Sequence, residues 1–524
     1  MNKLVEKKVT CPHCWHDFFG DLALYISQHD ELFGDPVLGD VHARISPHEV
    51  TKTRDGKVLD SKGWEMHERA CPNCHLQIPL DLLTLRPNFI SIVGAPRSGK
   101  TYFLTVMLHE LRRTLAKQFR YTLDLCDSHD KKILVANEQT LFSPLDPTIP
   151  VMLEKTQEQG GDLYNNVTLD GVRVQLPKPF LLTIRGVDGA KLPVRAKQAS
   201  IVLYDNAGES FFDGRDNGRN RSTRHLGESN AVLFAYDPLL EPETRLRLAM
   251  VSQDPQVSAK ASSARQVDFL TETIQRMRKH SGTPVNERLK ASLAVCVQKY
   301  DVWHTLLDHC RDEHGNRVID STSVEFFRRH GVAALDIGEI NVVSHIVRGF
   351  LNDISPEFVS RAEANFERVR YFPVSALGCS PTLDGEFLKI APMDLQPFRV
   401  DHPALWLMRE WRMIARTKDP RPNPRLRPVA TLRSVGKRRM EVACPKTGEL
   451  FVLDHEYAGR DFYNFNTHEY FWIPEINAAK SRQTAEPKVA KTSKATMQGL
   501  GLKLGQGRPK PGDERQKKKR GWFR

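Results

Sequence analysis

The sequence predicts an α/β protein with a mostly parallel sheet, preceded by a cysteine module and followed by a small β-rich piece and a basic tail. Three observations predict it. Apolar runs bounded by turn residues alternate with helical patterns over residues 87–418. A glycine-rich turn joins one such run to a helix at Gly94–Thr101. Two CxxC pairs occupy residues 1–86.

The strand candidates, in order, are Phe89–Val93, Ser200–Tyr204, Ala231–Tyr236, Ser292–Val297 and Arg370–Val374, the last interrupted by Pro373. Continuous apolar runs of this kind suit strands covered on both faces. Tyr102–Thr114 reads as a helix leaving the glycine-rich turn. Ala264–His280 is a second helix, whose Val267, Leu270, Ile274 and Met277 share one face and belong to the core. A Pro/Arg-rich link, Lys418–Pro428, leads to residues 419–478, where Met440–Ala443 and Glu449–Leu453 flank the hairpin-like turn Pro445–Gly448. Residues 479–524 are rich in Lys, Gly, Gln and Pro, a composition that predicts disorder.

Charge is segregated. The chain of 524 residues carries a net +12, and +11 of that falls between Lys480 and Arg524. The near-neutral body gives no argument for nucleic-acid binding. The tail, ending Lys517-Lys-Lys-Arg-Gly-Trp-Phe-Arg524, suits an acidic partner, nucleic acid or a membrane surface, or serves only as a solubilising segment. No apolar run matches a membrane span and the start lacks a secretory h-region, so a cytoplasmic protein with reduced thiols is expected.

Gly94-Ala95-Pro96-Arg97-Ser98-Gly99-Lys100-Thr101 fits G-x-x-x-x-G-K-[ST]. The two glycines let the backbone curl so that successive N–H groups face phosphate oxygens, and the following helix, with Tyr102 in its first turn, adds its positive end. Lys100 neutralises phosphate charge, and the Thr101 hydroxyl is a hard ligand for Mg²⁺. Asp205-Asn-Ala-Gly208 follows the second strand directly. There Asp205 can hold Mg²⁺ and the Gly208 N–H can sense a terminal phosphate. Glu209 is a candidate for activating water, or a solvated turn residue. Gln298-Lys299-Tyr-Asp301 ends the fourth strand. A carboxylate there can accept two hydrogen bonds from guanine, which adenine cannot offer, while the Lys299 stem packs along the base. Ser375-Ala376-Leu377 ends the fifth strand, where backbone N–H groups can face the guanine oxygen. Ligands of α/β sheets bind at carboxyl strand ends, so the order of these motifs is informative.

Taken together the motifs resemble the GTP-binding domain of translation-factor/Ras-like P-loop GTPases, over about residues 88–380. The resemblance implies a P-loop fold, GTP/GDP and Mg²⁺ as cofactors, Lys100 and Glu209 as catalytic residues, and a nucleotide-dependent surface for a protein partner. With the N-terminal CxxC pairs and a long insert, at about 102–199, the chain also resembles bacterial double-GTPase-type proteins. It departs from the pattern at Gln298, where Asn or Thr is usual, at Glu209, where Gln is common, and at Pro96. The 104 residues between Lys100 and Asp205 exceed a minimal switch region. Thr148, Thr156 and Thr168 are the candidate switch threonines. The alternatives are an ATP-dependent signalling or motor ATPase, and a non-enzymatic zinc-ribbon adaptor with a structural nucleotide.

Cys11-Pro-His-Cys14 and Cys71-Pro-Asn-Cys74 enclose 56 residues. Two residues between soft thiolates let both reach one ion, so a Zn²⁺ ribbon of Cys11, Cys14, Cys71 and Cys74 is expected, with His13, His16, His67 and His75 as alternative ligands. Most of the other five cysteines, Cys126, Cys296, Cys310, Cys379 and Cys444, read as small buried hydrophobes.

Overall fold

The computed structural model describes residues 8–85, 87–126, 128–153, 164–187, 198–205, 223–258, 265–308, 310, 317–320, 324–327, 332–385, 387–415, 428–436, 439–458, 460–464, 469–474 and 476. The chain divides into two units, Met1–Ile476 and Asn477–Arg524, and all described residues fall in the first. The basic tail therefore lies outside the described residues.

The centre is a seven-stranded sheet of β1 (Pro87–Val93), β2 (Tyr121–Leu125), β3 (Phe180–Gly186), β4 (Gln198–Asp205), β5 (Ala231–Tyr236), β6 (Leu289–Val297) and β7 (Phe366–Pro373), in the order β2-β3-β4-β1-β5-β6-β7. β4, β1, β5, β6 and β7 run parallel, whereas β2 and β3 are antiparallel additions. The sheet is thus mixed, and the smaller sheets are antiparallel. The departure from a mostly parallel expectation in the main sheet comes from β2 and β3, which precede β4 in the chain and pair antiparallel at its edge. The apolar runs became the core of five parallel strands because helices cover both faces and leave little solvated side to alternate with, the exception being the first half of β7, where Glu367 and Arg368 are exposed.

On one face lie α1 (Lys100–Thr114) and α6 (His402–Glu410), burying Phe103, Met107, Leu111, Leu405 and Trp406 with Ile90, Ile92, Ile201 and Leu203. On the other lie α3 (Gln266–Ser281), α4 (Ile337–Ile354) and α5 (Pro356–Asn365). The α3 stripe Val267, Leu270, Ile274 and Met277 is buried as its spacing predicts. Each fully buried side chain of this size contributes about 1.5–3 kcal/mol. Another helix, α2 (Ser128–Phe142), and the hairpin Tyr164–Leu169/Val172–Pro177 lie between β2 and β3 in the chain. The hairpin packs Val167, Leu169, Val174 and Leu176 against the cysteine module.

Beyond α6, a three-stranded antiparallel sheet (Thr431–Val435, Arg439–Ala443, Leu450–Asp454) and the hairpin Arg460–Asn464/Glu469–Ile473 enclose Met440, Val442, Phe462, Phe471 and Ile473. No helix among the described residues is long and apolar enough to cross a membrane.

Candidate functional site

Parallel pairing brings the carboxyl ends of five strands to one edge. Ile92 lies opposite Asp205, Val93 opposite Phe234, Tyr236 opposite Val297, and Val297 opposite Pro373. The motif residues that follow these strands therefore form one row along that edge.

At the head of the row, β1 turns through Gly94–Gly99 into α1. Two glycines are required there for different reasons. A Cβ on Gly94 would stand 2.5 Å from the Ala235 carbonyl oxygen, so the loop passes too close to β5 for any side chain. Gly99 sits at φ +86°, left-handed, as the residue before the first turn of α1. Arg97 is also left-handed and exposed, with Pro96 partly buried before it. Ala95 is buried, and its carbonyl accepts from Ser98 N at 3.3 Å. Ser98 is fully buried, yet its Oγ has no partner among the described residues. A buried hydroxyl without a protein partner inside a glycine-bounded loop is available to a ligand or a water.

Lys100 curls back over the same loop. Its Nζ donates to the Gly94 and Ala95 carbonyls at 3.0 and 2.8 Å. Burial pulls this amine down to about 8, opposed by the charge of Asp205. Burial pushes the Asp205 carboxyl up, opposed in turn by Lys100. Each thus favours the charged form of the other, a cation and an anion both partly buried at the ends of adjacent strands. Thr101 is partly buried in the first turn of α1, and Tyr102 beyond it accepts from Leu153 N at 2.8 Å, tying the insert to this helix. Gly208, Glu209 and Thr156 lie outside the described residues. Thr148 donates its hydroxyl to Asp146 at 2.6 Å, and the Thr168 N–H reaches the Val37 carbonyl at 2.8 Å.

At the far end of the row, Asp301 and Ser375 meet: the serine Oγ donates to Asp301 Oδ1. Burial pushes the Asp301 carboxyl up, and the serine opposes that. Ala376 is buried, and the Leu377 carbonyl accepts from Gln396 N at 2.8 Å. Lys299, left-handed at φ +60°, pairs with Asp237 Oδ2 at 2.6 Å, where the sequence placed it along a base. The Gln298 Nε2 is buried without a partner among the described residues. Sequence reasoning missed Asp237 and Gln266. The Gln266 amide clasps the Asp237 backbone on both sides, N→Oε1 at 2.7 Å and Nε2→O at 2.9 Å. The signal was an aspartate directly after a buried strand, the same context that singled out Asp205.

The cysteine pairs converge on one point. All four Sγ atoms of Cys11, Cys14, Cys71 and Cys74 lie within 4.8 Å of one another, and all four residues are buried. Cys11–Cys74 and Cys14–Cys71 are each 3.7 Å apart. A tetrahedron with Zn–S bonds of about 2.3 Å has edges of about 3.8 Å, so the spacing fits Zn²⁺. The two pairs are built alike. Cys11 N→His16 O (2.9 Å) matches Cys71 N→Leu76 O (3.0 Å), and Trp15 and His75 are both left-handed. His13 N and Asn73 N each donate at 3.4 Å to the sulfur two residues earlier, and Asn73 Nδ2 reaches Cys14 Sγ at 3.4 Å. Backbone donors aimed at sulfur stabilise thiolate, the form that binds metal. Among the described residues the histidines stand apart from the cluster. His13 Nε2 meets the Gln77 carbonyl at 3.1 Å, His75 Nδ1 meets Asp35 Oδ2 at 2.7 Å, His16 stacks on Phe18, and exposed His67 neighbours Glu65.

No protein-family model matches the chain, and no curated protein matches it.

Proposed function

We propose that the chain is a GTP-binding regulatory switch that binds Mg²⁺-GTP, hydrolyses it and signals to a protein partner through the insert. The observation that carries this reading is the orphaned Ser98 hydroxyl inside the Gly94–Gly99 loop, beside the partly buried Lys100 and Asp205, whose charges act on one another. A phosphate would accept from Ser98 and from the loop amides, and would draw the Lys100 amine off the Gly94 and Ala95 carbonyls. Thr101 and Asp205 supply the hard oxygens that Mg²⁺ takes, and the ion neutralises charge on the phosphates. At the other end Asp301, held by Ser375, reads guanine. Gly208 and Glu209 complete the proposal as phosphate sensor and water activator. Zn²⁺ on the four cysteines holds the N-terminal module in place.

A second reading, an ATP-dependent enzyme, is favoured by one observation: Gln298, where the GTPase pattern has Asn or Thr, leaves its buried Nε2 without a partner among the described residues. Nucleotide extracted from the purified protein separates the two. Guanine nucleotide supports the first and adenine nucleotide the second. Lys100→Ala protein that binds a fluorescent GTP analogue as tightly as wild type excludes both.

A further inference from the structure

We infer that the four-cysteine cluster controls the candidate nucleotide site through Tyr204, a positioning residue next to Asp205. The inference rests on the GTP reading above and names metal occupancy as the regulator of that site.

Strand β4 has two faces with different tasks. Val202 and Tyr204 pack into the core shared with the cysteine module, whereas Ile201 and Leu203 pack beneath α1. Side chains alternate along a strand, so Asp205 falls on the face of Leu203, toward Lys100. Tyr204 is fully buried on the opposite face. Its hydroxyl accepts from Trp15 Nε1 at 3.0 Å and donates to the Pro12 carbonyl. Pro12 lies inside the Cys11–Cys14 turn and Trp15 follows it at φ +59°. Both partners of the hydroxyl therefore depend on the shape of a metal-binding turn.

The ring of Tyr204 extends the connection to β1. It stacks on His225 with centroids 4.4 Å apart and on Phe89 at 6.5 Å. His225 Nδ1 in turn meets Ser91 Oγ at 2.6 Å. Phe89 and Ser91 belong to the strand that delivers Gly94, and Tyr204 to the strand that delivers Asp205. One side chain thus joins the cysteine turn to both strands that end at the phosphate site.

The four buried thiols would hold Zn²⁺, and the bound ion would keep the left-handed turn at Trp15 in shape. Without it the turn would relax, and Trp15 and Pro12 would withdraw from the hydroxyl. A buried hydroxyl without partners is costly, so the end of β4 moves to regain them, and Asp205 moves with it. Magnesium-dependent nucleotide binding weakens although no nucleotide contact has been altered.

The test uses full-length, zinc-loaded protein and Tyr204→Phe, which deletes only the hydroxyl. Zinc content and circular dichroism should match wild type. The Mg²⁺ concentration for half-maximal binding of a fluorescent GTP analogue should rise about tenfold, the order expected from the net loss of the hydroxyl's two hydrogen bonds. A zinc-selective chelator should produce the same rise in wild type and little further change in the variant, because both act on one connection. If the variant does not fold, Trp15→Phe, which removes the donor alone, is read in the same way. Hydrogen exchange over residues 198–205 is the independent readout and should quicken on zinc removal. Wild type that binds GTP with a magnesium response indifferent to Tyr204 and to zinc overturns this inference alone. Wild type that binds no nucleotide overturns the GTP reading and this inference with it.

Discussion

Ser375 Oγ donates to Asp301 Oδ1 and itself accepts from Gly378 N at 2.7 Å, fastening the turn after β7 to the turn after β6. The serine opposes the burial that pushes the Asp301 carboxyl up. In Ser375→Ala that carboxyl moves further up, so GTP affinity should be lost at a higher pH than in wild type as the solution is acidified. A fluorescence titration from pH 8 to pH 5 checks this. Coincident acid limbs for the two proteins would count against Asp301 as the base reader.

Asp301→Asn should weaken GTP by at least tenfold while leaving XTP bound, because xanthine has a carbonyl where guanine has its amine and the new amide can donate to it. Competition between the two nucleotides gives the answer. Equal loss of both points to a structural role.

Nucleotide binding should take up a proton above pH 8. Burial holds the free Lys100 amine at about 8, and phosphate restores its preference for the charged form. The neutral amine must be protonated to bind, so affinity falls as pH rises through 8, by up to about tenfold per unit. Calorimetry in buffers of different ionisation enthalpy measures the uptake. Its absence would remove Lys100 from the phosphate site.

Gly94→Ala should cost about 1–3 kcal/mol of stability and abolish nucleotide binding, since the new methyl meets the Ala235 carbonyl oxygen at 2.5 Å and the loop must shift. Urea melts and the same nucleotide titration serve as the measurement. Full binding in a folded variant would show that the loop geometry does not matter to the ligand.

Acid should destabilise the body through buried histidines. Burial first, then Arg399, holds His402 at about 3, and burial with Arg348 holds His345 at about 4. The unfolded chain takes up these protons near the ordinary histidine value, about 6.5, before the folded chain does. Stability therefore falls as pH drops below about 6.5 and keeps falling toward 3, by at most about 1.4 kcal/mol per unit for each histidine. His402→Asn should flatten this slope in urea melts between pH 7 and pH 4. An unchanged slope would show that His402 does not titrate on unfolding.

The parts of this protein that were legible in the sequence are those whose cause is local. Leu293–Val297 is apolar throughout because both faces of β6 are covered, and such a run has few other readings. Cys11 and Cys14 announce a metal site because two intervening residues fit one ion. β2, Tyr-Thr-Leu-Asp-Leu, is short and half-exposed, and nothing within it says that it will pair antiparallel with a strand 57 residues on. The same holds for the Lys299–Asp237 pair, which joins the ends of two strands that lie far apart in the sequence. The Tyr204–Trp15 bond joins residues 189 apart, and a tyrosine in an apolar run reads only as core. Local rules give strands and ligands; which side chain closes on which is decided by the sheet order.

The antiparallel pairing of β3 with β4 also bears on how this chain avoids its own copies. Without β2 and β3, β4 would present an unpaired row of backbone donors and acceptors along eight residues, most of them apolar. Such an edge templates pairing with any other extended chain. With them, the rim of the sheet is the five-residue β2, which carries Asp124 facing outward. A protein trimmed of this stretch to resemble a minimal nucleotide-binding domain would therefore exchange a guarded border for a sticky one, and self-association would be its first symptom.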